Sequence, residues 1–350
     1  MRALTYQAPD QVAVVEVDDP VLADEYSAVV RVSTAGICGS DLHIYHGHGF
    51  SPDIGYCLGH EAVGTVASVG SRVDTFAVGD RVLVPASVGC STCRQCRIGL
   101  IARCENAVRG GTVPCYGLSH ALPGSQAEAV AVPHAATNLV AIPPELSDAD
   151  AIVLTDNAPT GWYGARRGRI TPGDTVAVIG LGPVGLMAVQ SAFVLGAATV
   201  YGVDPVASRL ARAAELGAVP IESADAKGAI RAATGGGVDV AIEAVGADAS
   251  IGLAISAVRA GGRVSVIGVS QNKAYPLHLM AAQVRELEFA IGLCSVQYEL
   301  PTLLSLTAGG RLRPAAVVSH RVPLSEAADA YRQVAARDDG VSKILLDPAG

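Results

Sequence analysis

From Thr175 to Val203 the chain carries no charged side chain, and few folds can absorb such a run. A hydropathy window alone would score it as a membrane span. Gly180, Gly182, Gly185, Gly196, Gly202 and Pro183 interrupt it, and Asp174 and Asp204 bracket it with no basic flank or aromatic belt. A buried strand, a tight turn, a packed helix and a second buried strand account for these features together. Val176–Ile179 reads as the first strand, Gly180-Leu-Gly182-Pro183-Val184-Gly185 as the turn, and the segment to about Leu195 as the helix. Val200–Val203 is the second strand, followed by a helix through Leu216 that Gly217 stops. Strands over Val238–Glu243 and Arg263–Val269, with a helix over Ala249–Arg259 between them, continue the alternation. Such alternation predicts an α/β domain with a doubly wound parallel sheet.

The turn itself has a chemistry. Gly180 permits a sharp bend, Gly182 lets backbone approach a pyrophosphate, and Gly185 lets helix and strand pack closely. The helix N-terminus then offers free N–H groups to phosphates, and Pro183 fits an early helical position where no donor is missed. Asp204, ending the second strand, can accept from both ribose hydroxyls and would repel a 2′-phosphate, which favours NAD over NADP. Arg209 is near enough in sequence to oppose that preference. The bland alternatives are an ordinary turn for the glycines and a helix cap before Pro205 for Asp204.

At 350 residues the chain is long enough for two domains. Half its residues are apolar and 17% are charged, so core material is ample. A net charge of -8 argues against nucleic acid or an anionic membrane as partner. The part before residue 150 is rich in short β-like segments, such as Val12–Val17, Ala28–Ser33, Ala62–Val69 and Arg81–Pro85. Met1 to Tyr6 reads as a first strand rather than a leader. From about residue 294 the chain, with Pro301, Pro314 and Pro323, returns to this irregular, mostly β pattern.

Cys90, Cys93, Cys96 and Cys104 form a Cys-x2-Cys-x2-Cys-x7-Cys pattern that can wrap one ion tetrahedrally. Structural zinc is the expected occupant, with an iron–sulfur cluster as the competing reading. A disulfide framework is the bland reading, but cysteines this close are poorly placed to pair. Thiols kept reduced imply a cytoplasmic setting. Cys57, Cys115 and Cys294 are expected as small buried residues.

A second ligand set lies upstream, in Gly36-Ile-Cys38-Gly-Ser40-Asp41-Leu-His43 and Gly59-His60-Glu61. With the quartet and the glycine turn in this order, the chain resembles the zinc-dependent medium-chain alcohol dehydrogenase family over essentially its full length. The resemblance implies a GroES-like catalytic domain, formed by residues 1–157 and 294–350, around a Rossmann domain at 158–293. The quartet would brace a lobe at about 89–105. By the same match Cys38 and His60 are ligands of a catalytic zinc, Asp156 takes the third place, and Glu61 is an alternate ligand. Asp41 would orient His60. Taken singly, His60-Glu61 could be an ordinary loop pair and Asp156 a helix cap.

The chemistry implied is reversible hydride transfer between NAD and an alcohol. The oxygen of the alcohol is acidified at an open zinc position, as zinc-bound water is when its pKa falls to about 7, and the alkoxide expels hydride to the nicotinamide. Ser40 would take the substrate proton and His43 pass it on through the cofactor ribose. Thr160, Ile267 and Val269 match positions near the nicotinamide, and Lys343 matches a basic residue near the pyrophosphate. His46 and His48 are expected at the surface. Ala86 and Ser125 stand where the family's alcohol pocket is often bulky. The room they leave points to a secondary alcohol, ketone or polyol, with a larger primary alcohol or aldehyde as runner-up. Family members are usually homodimers or homotetramers.

Overall fold

The computed structural model describes residues 1–107, 113–270, 272 and 274–350. They form two compact units, residues 1–159 with 295–350, and residues 160–294. The boundaries expected from sequence lay at 157/158 and 293/294.

In chain order the first unit contributes β1 (Arg2–Ala8), β2 (Gln11–Glu16), β3 (Ala28–Gly36), β4 (Ala62–Val69), β5 (Arg81–Val84), β6 (Ala129–Val132) and β7 (Val140–Ala141). The second contributes β8 (Thr175–Ile179), β9 (Thr199–Asp204), β10 (Val219–Glu222), β11 (Val238–Glu243), β12 (Val258–Val266) and β13 (Glu288–Ile291). The chain then returns to the first unit with β14 (Val318–Pro323) and β15 (Lys343–Asp347).

In the first unit β1 and β2 form an antiparallel hairpin. The larger sheet runs β14-β15-β3-β4-β5-β7, with β6 paired to the first half of β3. Its core gathers Leu4, Val30, Leu58, Val66, Val82 and Tyr116 with Leu324, Tyr331, Ile344 and Leu346 from the C-terminal return. The C-terminal return therefore fills the same apolar interior as β3 and β4. It is not wholly β, because helices occupy Val296–Ala308 and Ala327–Ala336. The prolines read as strand punctuation serve otherwise. Pro301 lies inside the first helix and Pro314 opens a single 3-10 turn.

The second unit is a parallel sheet in the order β10-β9-β8-β11-β12-β13. That order reverses between β8 and β11, which is where such sheets open a crevice at their C-terminal edge. The strand expected at Arg263–Val269 instead spans Val258–Val266, because Gly261 and Gly262 stay in the strand across a register shift against β11. Accordingly, the preceding helix ends at Ala257. The core is aliphatic, with Ala177, Ile179, Val203, Ile230, Ala241 and Val264 fully or nearly fully buried. Among the described residues no helix is long and apolar enough to cross a membrane.

Candidate active site

Cys90, Cys93, Cys96 and Cys104 are buried, and their sulfurs lie within 4.8 Å of one another. None is in a disulfide, so that alternative falls. Four thiolates on one tetrahedral ion with bonds of about 2.3 Å sit roughly 3.8 Å apart, so the spacing suits a single ion. The local backbone prepares the site. The Cys93 N–H donates to Cys90 Sγ, the Cys96 N–H to Cys93 Sγ and the Ala107 N–H to Cys104 Sγ, each at 3.4 Å. Thr92 Oγ1 and Asn106 Nδ2 add donors to Cys90 Sγ at 3.3 Å. Burial opposes ionisation of Cys90, but these donors outweigh it and bring the thiol down to about 5. Cys96 is pushed up to about 12 by burial and its neighbouring thiol. Four thiols so close cannot ionise together without a cation among them, which a divalent ion supplies.

The second set gathers Cys38, His60, Glu61 and Asp156, with ligand atoms also within 4.8 Å of one another. Cys38 follows the end of β3, His60 and Glu61 immediately precede β4, and Asp156 precedes the helix Asn157–Arg167. Cys38 Sγ lies 3.4 Å and His60 Nε2 lies 3.7 Å from Asp156 Oδ2. Asp41 stands behind the imidazole, its Oδ1 3.1 Å from His60 Nδ1 and its Oδ2 accepting the Cys38 N–H at 2.9 Å. With Nδ1 facing a carboxylate, Nε2 is directed at the cluster. Burial pulls the imidazole down, yet Asp41, Cys115 and Asp156 outweigh it and hold His60 well above its usual range. Burial and the Asp156 charge push the Cys38 thiol up. The Cys38 thiolate and the two carboxylates repel one another as anions in one small pocket, and a divalent cation removes the conflict. A donor set of one sulfur, one imidazole nitrogen and carboxylate oxygens fits zinc.

Glu61 sits in the pocket but is tied back. Its Oε1 accepts from Asn157 Nδ2 at 2.8 Å, and its Oε2 pairs with the Lys343 ammonium. Lys343, expected beside a cofactor pyrophosphate, is 0% exposed and also donates to the Ile37 carbonyl at 3.0 Å. The ammonium is thus engaged by Glu61 beside the ligand cluster. Burial disfavours it, but Glu61 holds it charged, above the ordinary lysine value. Asn157, which no spacing rule singled out, also reaches Asp156 Oδ2 at 3.1 Å.

Ser40 is half-buried beside the ligands, its Oγ 3.3 Å from Cys38 Sγ and 3.4 Å from His60 Nε2. His43 lies in the following short helix, Asp41–Tyr45, and is half-buried. His46 and His48 are exposed. Ala86 and Ser125 are both buried, and the Ser125 N–H donates to the Gly59 carbonyl at 3.0 Å. Cys57 is buried as expected, whereas Cys115 and Cys294 are half-buried. Cys115 bridges Ser87 outside any strand, which leaves it only partly covered.

In the second unit the turn after β8 has the shape its glycines suggest. Gly180 has φ +89, and a Cβ on Gly185 would fall 1.8 Å from the Gly180 carbonyl oxygen. Gly182 caps the helix Pro183–Val194, with Pro183 first and Val184 next, and a Cβ on Gly182 would meet only open space. The Asp204 carboxylate accepts the Leu181 N–H at 2.8 Å and the Val206 N–H at 2.9 Å, and lies 3.8 Å from Arg209 Nη1. Asp204 thus ties the turn to the end of β9, as well as capping the next segment. A carboxylate has about four acceptor sites, so two backbone bonds do not exhaust it. Thr160, Ile267 and Val269 belong to this unit, with Ile267 buried.

Comparison with known proteins agrees along the whole chain. A model of the alcohol dehydrogenase GroES-like domain matches residues 24–144, and a zinc-binding dehydrogenase model matches residues 183–309. A probable zinc-binding alcohol dehydrogenase of Mycobacterium tuberculosis is 41% identical over 99% of this chain and 89% of its own length. A sorbitol dehydrogenase of Bacillus subtilis is 32% identical over 91% of this chain and 90% of its own. The solved alcohol dehydrogenase of Thermus sp. ATN1 superposes with a TM-score of 0.92, at 41% identity and 99% coverage of both chains. The two ligand clusters, the parallel sheet with its glycine turn and these full-length likenesses establish that the chain belongs to the zinc-dependent medium-chain alcohol dehydrogenase family.

Proposed function

We propose that the protein oxidises secondary alcohols or polyols, and reduces the matching ketones, with NAD as hydride carrier and zinc at Cys38, His60 and Asp156. The observation that carries this reading is the convergence of those three ligands, with Glu61 beside them but engaged by Lys343 and Asn157. Three protein ligands would leave one position of a tetrahedral zinc for substrate. When bound, zinc supplies the positive charge that acidifies a hydroxyl. A nicotinamide dinucleotide, when bound, supplies the hydride acceptor. The protein side of the reaction is proton handling and orientation. Ser40 Oγ, between the thiol and imidazole ligands, is placed to accept the substrate proton, and His43 to hand it on toward solvent. Asp41 holds His60 in register throughout.

The turn from Gly180 to Gly185 and its helix suit a pyrophosphate. The Asp204 carboxylate favours a ribose with a free 2′-hydroxyl, so NAD is the proposed cofactor. Asp204→Ala should raise the KM for NAD by about 10–100-fold and narrow the preference over NADP. Small side chains at Ala86 and Ser125 support a carbinol carbon bearing two substituents, and the relative named a sorbitol dehydrogenase fits a polyol. A larger primary alcohol or aldehyde is the alternative, since the Asp156-Asn-Ala-Pro-Thr160 junction resembles that of aldehyde-oxidising relatives. A second zinc in the quartet, a cytoplasmic setting and a homodimer or homotetramer complete the proposal.

The test is NADH formation at 340 nm across an alcohol panel, with and without chelator. Chelator-sensitive turnover fastest on secondary alcohols or polyols is expected. Ethanol turned over far faster than any of these would sink the substrate assignment, and silence on every alcohol and carbonyl would sink the activity.

A further inference from the structure

Gln126 is completely buried in the first unit, and both ends of its amide are engaged. Oε1 accepts the Tyr331 hydroxyl at 2.8 Å, while Nε2 donates to the Gly36 carbonyl at 2.9 Å and to Asp41 Oδ2 at 3.2 Å. Tyr331 is itself fully buried, in the helix Ala327–Ala336, with its ring tilted against Tyr45 at 5.6 Å. A continuous buried chain therefore runs from Tyr331 through Gln126 and Asp41 to His60. The fold makes room for it at Gly59, where φ is +87 and a Cβ would lie 2.3 Å from Gln126 Cγ. No side chain can occupy that place while the amide passes.

We propose that Gln126 and Tyr331 are positioning residues for His60, acting through Asp41. The direction in which the amide faces is decisive. Asp41 Oδ2 takes the Cys38 N–H and the Gln126 Nε2, leaving Oδ1 toward His60 Nδ1. Gln126 can donate to a carboxylate only with its nitrogen end. The Gly36 carbonyl and the Asp41 carboxylate, both acceptors only, fix that orientation, and the Tyr331 hydroxyl anchors the opposite end by donating to Oε1. A flipped amide would set its oxygen against both acceptors. Gln126, anchored by Tyr331, thus holds Asp41 with Oδ1 3.1 Å from His60 Nδ1, which leaves Nε2 toward the ligand cluster. The ordinary reading, a satisfied core amide, explains the bonds but not why they end on the carboxylate behind a metal ligand. This inference rests on reading Cys38, His60 and Asp156 as a metal site and extends it to two residues that contact no ligand atom.

The test uses the full-length holoenzyme with cobalt exchanged into that site. Gln126→Leu should weaken cobalt retention against a competing chelator by about 10–100-fold, as losses of outer partners do. It should also shift the cobalt ligand-field band and lower kcat more than it changes KM, with the metal content of the quartet intact. Tyr331→Phe keeps the ring and should shift the same band in the same direction by a smaller amount, so it carries the test if Gln126→Leu does not fold. Folded variants with a lower melting temperature but wild-type cobalt spectrum and retention would overturn the proposal. A wild-type protein whose cobalt spectrum ignores Cys38→Ser would instead remove the metal-site reading beneath it.

Discussion

The two ligand clusters of the first unit differ in how far along the chain each must reach. The quartet closes within Cys90–Cys104, and backbone N–H groups a few residues away already point at its sulfurs. The other site joins Cys38 to Asp156, a separation of 118 residues, and one of its supporting groups, Lys343, comes from farther still. Closing so wide a loop costs entropy that the local site avoids. The local site satisfies its thiolates from its own backbone and keeps no ligand position for a substrate. The distant one has Asp41, Asn157 and Lys343 against its side chains, and on the proposed reading keeps one position for substrate. On the proposed reading, a structural ion and a reactive ion are separated by architecture before any difference in ligand chemistry.

Breaking each site should therefore break a different property. Cys96→Ser has the largest expected effect: loss of the fold or of assembly, seen as a collapse of the thermal transition, since structural zinc contributes folding energy outright. Retained stability with selective loss of turnover would contradict the division. Cys38→Ser comes next, with turnover falling by more than the roughly 10–100-fold that outer partners cost, and the melting temperature near wild type. Ser40→Ala should lower kcat by about 10²–10⁴-fold with metal content and melting temperature unchanged, which steady-state kinetics and metal analysis would read together. Ala86→Phe is the mildest, costing secondary alcohols about tenfold in kcat/KM relative to primary ones. An equal loss on both classes would show that Ala86 does not separate them.

Much of this was legible in the residues themselves. β4 and β11 fall where their apolar runs begin and end, because a half-buried or buried strand needs that pattern. The helix Val296–Ala308 was not legible, since Pro301 reads as a breaker until tertiary packing overrides it. The same divide holds at the site. Cys38, His60 and Asp156 sit in recognisable segments, and the structure brings their ligand atoms together. Asn157, Gln126 and Tyr331 are single polar residues with no informative spacing, and only folding assigns them partners. Lys343 is similar: the family match placed a basic residue there, but its burial against Glu61 became visible only in the fold.

The wide reach of the open site also sets an order of events during synthesis. Once Cys104 has left the ribosome, every ligand of the quartet is available to take an ion. The other pocket cannot be finished then, because Tyr331 and Lys343 are made long afterwards, and they act on Gln126 and Glu61 across 205 and 282 positions. A nascent chain, or one clipped ahead of Tyr331, would carry Cys38 and His60 without the groups that aim them. If that pocket is the reactive one, its chemistry waits until the C-terminal return has been made and has docked.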